Sequence, residues 1–165
     1  MFSGKTLLIT GGTGTIGRGL VTKLLHDGFT GLSILARNEG KIIEMEDYPI
    51  KVITGDIADP CVCDRACLGV DGIIHLAAFK HVRLAEDNVY ACVKTNITGL
   101  INMLNQTVKH KPKFFLFATT DKALNIKGVY SATKYLGEKL VQEYAKFNPA
   151  TKYKTVRFGN VGNST

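Results

Sequence analysis

Two short stretches of this chain carry groups that can move protons: Thr119-Thr120-Asp121-Lys122 and Tyr130-Ser131-Ala132-Thr133-Lys134. A carboxyl and an amine side by side, just ahead of a Tyr-x-x-x-Lys pair, are the equipment of a redox-assisted elimination. On a helix the four-residue step from Tyr130 to Lys134 sets both side chains on one face. There the ammonium is expected to stabilise a tyrosinate, lower the phenol's pKa and make Tyr130 a general base near neutrality. Alone, the pattern also describes any amphipathic helix face, so the rest of the chain decides.

The deciding context is Thr10-Gly11-Gly12-Thr13-Gly14-Thr15-Ile16-Gly17, which follows a short apolar run and opens a helical pattern of Ile16, Leu20, Leu24 and Leu25. Strand, glycine turn, helix is the implied order. Gly11 permits the turn, Gly14 admits a pyrophosphate close to the backbone, and Gly17 lets the helix sit against the strand. Thr13, Thr15 and Ile16 complete the loop, and the phosphates meet a positive helix N-terminus.

Apolar runs at 6–10, 32–36, 51–54, 72–76, 114–118 and 155–158 read as six strands. Each is short and nearly continuous, as parallel strands covered on both faces are. Helices are predicted at 15–27, 38–45, 60–68, 82–110 with a break near Asp87-Asn88, and 127–147. The fold class is α/β, a doubly wound parallel sheet of the Rossmann type. A single NAD(P)-binding domain over residues 1–165 is expected from the length.

In such a sheet ligands bind beyond the carboxyl ends of the strands. After the second strand, Arg37 could pair with the extra phosphate of NADP, where an acidic residue would favour NAD. After the third, Asp56 and Ile57 could meet the adenine, although an Asp there can equally cap the next helix. After the fourth, Ala77 and Ala78 are small enough to pass close to the cofactor, and Lys80 and His81 would lie near the substrate. His75, inside a strand, reads as a satisfied core residue, and Asn96, counted with Lys80 among the cofactor-binding candidates, as a polar residue that interrupts a helix and orients a backbone group or water.

Lys and Arg number 21 against 14 Asp and Glu, a net charge of +7, spread without runs. A dinucleotide and an anionic nucleotide substrate suit that balance. Nucleic acid is not indicated, for want of a basic stripe interleaved with aromatics. Cys61, Cys63, Cys67 and Cys92 lack the paired spacing of a zinc site, so no metal is expected, and the first three are expected where solvent reaches them. The chain reads as cytoplasmic, without secretory signal or membrane span.

Taken in order, Thr10 to Gly17, Asp56-Ile57, His75-Leu76-Ala77-Ala78, Thr95-Asn96 and Tyr130-x-x-x-Lys134 resemble the extended short-chain dehydrogenase/reductase superfamily. Within it, Ala77-Ala78-Phe79-Lys80-His81-Val82 with Glu86, Thr120-Asp121-Lys122-Ala123 and Arg157-Phe158-Gly159-Asn160-Val161 are similar to UDP-N-acetylglucosamine 4,6-dehydratases of bacterial surface-glycan pathways.

The resemblance implies that Tyr130 takes the proton of the sugar's 4-hydroxyl while hydride passes from carbon 4 to the nicotinamide. Lys122 then removes the carbon 5 proton, Asp121 protonates the departing 6-hydroxyl, and hydride returns to carbon 6. Thr120 would hydrogen-bond the 4-oxygen, Lys134 would also hold the nicotinamide ribose, and Asn160 would join Lys80 and His81 around the UDP-sugar. Lys122 must be neutral to act, which burial near the cofactor is expected to arrange. Members of the family continue into a smaller substrate-gripping domain, so the chain is expected to be either a fragment of a longer protein or a natural short form with that domain absent or truncated, and Asn163 stands where glycine is usual. A homo-oligomer through helices 82–110 and 127–147 is also implied. A nucleotide-sugar 4-epimerase shares the Tyr, Lys and Thr without needing Asp121-Lys122, and a silent dinucleotide-binding module is the alternative from outside the enzymes.

Overall fold

A computed structural model describes residues 4–162; Asn163 lies outside the described residues. Six strands form one parallel sheet in the order β3-β2-β1-β4-β5-β6. They are β1 (Leu7–Thr10), β2 (Leu32–Ala36), β3 (Lys51–Thr54), β4 (Gly72–His75), β5 (Phe114–Thr120) and β6 (Lys152–Phe158). The order reverses after β3, where the chain crosses to place β4 beside β1. Because every pair is parallel, all six carboxyl ends open on one edge, and the crevice outside the reversal point lies between the loops after β1 and β4.

Both faces of the sheet are covered. Leu7, Ile9 and Ile34 pack with Val21 of α1 (Thr15–His26), Phe29 and Met45. Leu8, Leu35, Ile73, Phe115 and Phe117 pack on the other face. Their partners come from α3 (Pro60–Cys67), α6 (Gly99–His110) and α7 (Val129–Phe147). Alternate residues of β1 thus point to opposite cores, which is why the strand reads as a continuous apolar run.

Between β2 and β3 the helix is shorter than predicted: α2 (Glu39–Ile43), capped by Asn38, whose side chain accepts the Lys41 amide at 3.0 Å. The long fourth helix breaks where expected. It consists of α4 (Val82–Asp87) and α5 (Val89–Val93), a π-helical turn at Lys94–Thr98, and then α6. Asn96 sits in that turn. β6 starts earlier than the run at 155–158 because Lys152, Tyr153 and Lys154 alternate on an edge strand and hide it from a search for apolar runs. A 3₁₀ turn at Asp121–Leu124 links β5 to α7.

The expectation for the cysteines fails in part. Cys61 is exposed, but Cys63 and Cys67 are buried in the core, and burial pushes both thiols up to about 12. The helix start that was to present them to solvent turns its cysteine face to the sheet. Among the described residues no group of three or more His, Cys, Asp or Glu is placed to hold a metal, and no helix is long and apolar enough to cross a membrane.

His75 is a core residue, 1 % exposed, with Nδ1 2.8 Å from Thr10 Oγ1 and its ring stacked against Phe115 and Phe117. Burial, with Lys134 nearby, draws its pKa down from 6.5 to about 3. Between those values the unfolded chain binds a proton at this position that the folded chain does not. This contribution to stability is therefore complete above the unfolded value and is lost as the pH falls, by about 1.4 kcal/mol per pH unit below ~6.5. Denaturant unfolding at pH 7, 6, 5 and 4 should show the wild type losing stability more steeply than His75→Gln as the pH falls, the difference being the His75 contribution.

Candidate functional site

Gly11, at φ +72°, turns the chain at the end of β1, and a Cβ there would lie 2.8 Å from the Ala77 backbone nitrogen. A Cβ on Gly17 would collide with the Gly11 carbonyl. These contacts bring the loops after β1 and β4 together and seat α1 against the turn. The hollow they leave at the N-terminus of α1 is the shape and polarity of a pyrophosphate cradle, so the residues present fit a dinucleotide.

A cleft of about 380 Å³ runs from this turn along the strand ends. Gly11, Thr13, Gly14, Thr15, Ile16 and Gly17 line its floor. Arg37, Asp56 and Ile57 line one end, and Ala77, Ala78, Lys80 and His81 the other. Arg37 is already engaged: its Nη1 donates to Asp56 Oδ2 at 3.2 Å, while Asp56 Oδ1 accepts the Ala58 amide at 2.9 Å. The third-strand carboxylate thus both starts a turn and holds the arginine. Lys41, not singled out from sequence, also lines the cleft; its signal was the Asn38 cap, which puts residue 41 in the first turn after β2. A larger groove of about 860 Å³ lies beyond α1, spanned by an Arg18–Glu44 ion pair at 2.6 Å. It touches the glycine turn but not Ala118 on β5, which the smaller cleft reaches; neither is lined by Thr120, Asp121, Lys122, Tyr130 or Lys134.

Asn96 does not line the cleft. Its Oδ1 accepts the Phe79 N–H at 2.7 Å, and its Nδ2 donates to the Phe79 carbonyl at 3.0 Å and to Thr133 Oγ1 at 3.0 Å. The reading of Asn96 as a residue that orients backbone fits this geometry.

The proton-moving groups gather where β5 ends and α7 begins. Thr120 Oγ1 donates to Asp121 Oδ1 at 3.1 Å and accepts the Lys122 amide at 3.3 Å. Lys122 Nζ stands 3.7 Å from Asp121 Oδ1 and donates to Asn160 Oδ1 at 3.2 Å. Lys122 keeps 45 % of its side chain exposed. The burial expected to neutralise it is therefore not supplied by these residues alone.

Tyr130 and Lys134 share the face of α7 turned to β5, as their spacing predicts, but their electrostatics differ from the expectation. Lys134, 5 % exposed, donates to the Ala118 carbonyl at 2.6 Å, and its ammonium lies 4.6 Å from the centre of the Phe117 ring. Burial draws its pKa down to about 8. The Tyr130 phenol is pushed up, first by burial and further by the Asp121 carboxylate, while a hydrogen bond with Thr120 pulls the other way. Desolvation of the phenol outweighs help from a lysine whose ammonium is spent on a backbone carbonyl. Nearby, Arg157 makes a two-point contact with the buried Glu138 carboxylate at 2.9 and 2.6 Å, tying β6 to α7. Neither residue's partner was foreseen.

A family model described as "Polysaccharide biosynthesis protein" matches residues 7–165. An uncharacterized membrane protein of Methanocaldococcus jannaschii is 38 % identical over 99 % of the chain and 51 % of its own length. A UDP-N-acetylglucosamine 4,6-dehydratase (inverting) of Campylobacter jejuni is 37 % identical over 98 % and 50 %. A UDP-glucose 4-epimerase of Rickettsia canadensis is 32 % identical over 98 % and 50 %. The solved structure of Pen from Bacillus thuringiensis superposes with a TM-score of 0.94 at 33 % identity, over 99 % of this chain and 52 % of that one. The chain thus spans about half the length of the curated relatives it matches. It belongs to the polysaccharide biosynthesis protein family, within the extended short-chain dehydrogenase/reductase superfamily, and resembles its UDP-N-acetylglucosamine 4,6-dehydratases.

Proposed function

We propose that residues 1–165 are the NADP-binding, catalytic domain of a nucleotide-sugar 4,6-dehydratase, one that turns UDP-N-acetylglucosamine or a close analogue into its 4-keto-6-deoxy form. The observation that carries this reading is the Asp121–Lys122 pair, 3.7 Å apart at the carboxyl end of β5 and next to Thr120. Elimination across carbons 5 and 6 must remove a proton from one carbon and deliver one to the oxygen on its neighbour. Adjacent acid and base side chains on one strand end meet that need without moving the sugar.

When bound, NADP would supply the hydride chemistry, accepting from carbon 4 and returning to carbon 6. Tyr130 accepts the 4-hydroxyl proton, with Thr120 hydrogen-bonded to the same oxygen. The resulting ketone acidifies carbon 5, Lys122 takes that proton, and Asp121 gives one to the departing 6-hydroxyl. Lys134 holds the nicotinamide ribose, and Lys80, His81 and Asn160 face the sugar nucleotide. The Tyr130 phenol is pushed up by burial here, so the positive charge of an oxidised nicotinamide close by would favour its ionisation. Both ligands are cytoplasmic metabolites, which makes the cytoplasm the working compartment. A second reading, a nucleotide-sugar 4-epimerase, is favoured by the Rickettsia likeness and would use Thr120, Tyr130 and Lys134 while leaving Asp121 and Lys122 idle.

Incubation with NADP and UDP-N-acetylglucosamine, followed by mass spectrometry, should show loss of one water. An unchanged mass with a second hexosamine epimer would favour the epimerase. Tyr130→Phe should abolish oxidation at carbon 4, and Lys122→Ala should retain NADP and lose solvent deuterium exchange at carbon 5. Normal turnover by Lys122→Ala would remove that residue as the base. Arg37→Ala should weaken NADP about tenfold or more, the scale of a lost charged hydrogen bond, and NAD far less. Calorimetric titration with both dinucleotides checks this, and equal losses would sink the phosphate assignment. The segments 82–110 and 127–147 expose Val89, Tyr90 and Leu136. They are expected to pair across a two-fold axis, and a monomer by light scattering at micromolar concentration would remove that expectation.

A further inference from the structure

Glu86 has no part in the chemistry above, yet its carboxylate reaches from α4 to the start of α7. Its Oε1 accepts the Val129 backbone N–H at 2.7 Å, one residue ahead of Tyr130. Both sides of the contact are shaped for it. The first turn of α7 reads Val129-Tyr130-Ser131-Ala132, without an acid of its own, and the capping position is Gly128, which has no side chain to offer an amide. Ser131 Oγ turns back to the Lys127 and Gly128 amides at 3.1 and 3.2 Å, leaving the Val129 amide to Glu86. A Cβ on Gly128 would collide with the Glu86 carboxylate.

α4 follows directly on the loop 77–81, whose Lys80 and His81 line the cleft. That loop has a second tie to α7, through Asn96, which bridges the Phe79 backbone and Thr133. The loop and the short helix after it therefore grip α7 on either side of Tyr130, at residues 129 and 133. An anion is also favoured at the positive end of a 19-residue helix, so reach and charge have to be separated.

We propose that Glu86 is a positioning residue: by holding the Val129 amide it fixes the first turn of α7, and with it the Tyr130 phenol, relative to the loop that carries Lys80 and His81. The inference rests on Tyr130 being the base of the proposed reaction, but its test requires neither dinucleotide nor sugar. Glu86→Gln keeps the reach and an acceptor oxygen and removes the charge. Glu86→Asp keeps the charge and falls one methylene short. With tyrosine labelled at ¹³Cζ and the Tyr130 signal assigned from Tyr130→Phe, the phenol is titrated by NMR in each variant. Thr120, Asp121 and Cys92, the groups that act on the phenol, are the same in all of them.

Glu86→Gln is expected to titrate within about 0.2 of the wild type. Glu86→Asp is expected to fall by about half a unit or more toward the ordinary tyrosine value, because a loosened first turn lets water reach a phenol held up mainly by burial. Glu86→Asp matching the wild type, or Glu86→Gln shifting as far as Glu86→Asp, overturns the proposal. A chain that released no water from the sugar nucleotide would fail the proposed function and leave this titration to be judged on its own.

Discussion

The site depends on one close approach, that of the Gly11 turn to the Ala77 backbone. β1 and β4 are neighbours in the sheet, with Thr10 opposite His75, so the loops that follow them leave from adjacent points on the same edge. Thr10 Oγ1 bonds both the His75 ring and the Ala77 amide, at 2.8 and 3.2 Å, and pins the second loop to the first strand. Any side chain at residue 11 would press on the Ala77 backbone and wedge those loops apart. The distance from the glycine turn to the β5 end is then set by the parallel registers β1–β4 and β4–β5, which side chains adjust little.

Much of this was legible in the sequence, for physical reasons that also mark where it stopped. The central strands announce themselves because both faces are covered, so every residue of Leu7–Thr10 is buried. β6 has a partner on one side among the described residues, and its alternating lysines concealed its first three residues. Tyr130 and Lys134 were found from a spacing that any α-helix translates into a shared face. What spacing does not encode is how far each group is removed from water. That left the direction of the Tyr130 shift and the burial of Cys63 and Cys67 misread. Asn96 was recognised as out of place in a helix, but the π-turn that aims it at Phe79 has no pattern in five residues of Lys-Thr-Asn-Ile-Thr.

Charge in this chain is handled unevenly, and the unevenness follows the sheet. Beneath the strand ends, Lys134 is buried against Ala118 and Phe117, and Glu138 is buried against Arg157. These groups cannot reorganise cheaply, since an unpaired charge in such surroundings is strongly disfavoured. Above the strand ends, Arg37, Asp56, Asp121 and Lys122 retain 37 to 59 % of their side-chain exposure. A buried floor with an exposed rim is the arrangement in which a ligand can rearrange the upper groups without disturbing the lower ones.

The nearness of Asp121 to Lys122 has a further consequence in proton accounting. An ammonium beside a carboxylate and an amine beside a carboxylic acid hold the same number of protons and differ only in where one of them sits. Under the proposed roles the elimination begins from the second arrangement and ends in the first, with water's new proton drawn from Asp121 and the sugar's lost proton kept by Lys122. The pair's two heavy atoms stand 3.7 Å apart. Passing one proton back across that gap would re-arm it, with no net exchange with the surrounding solution.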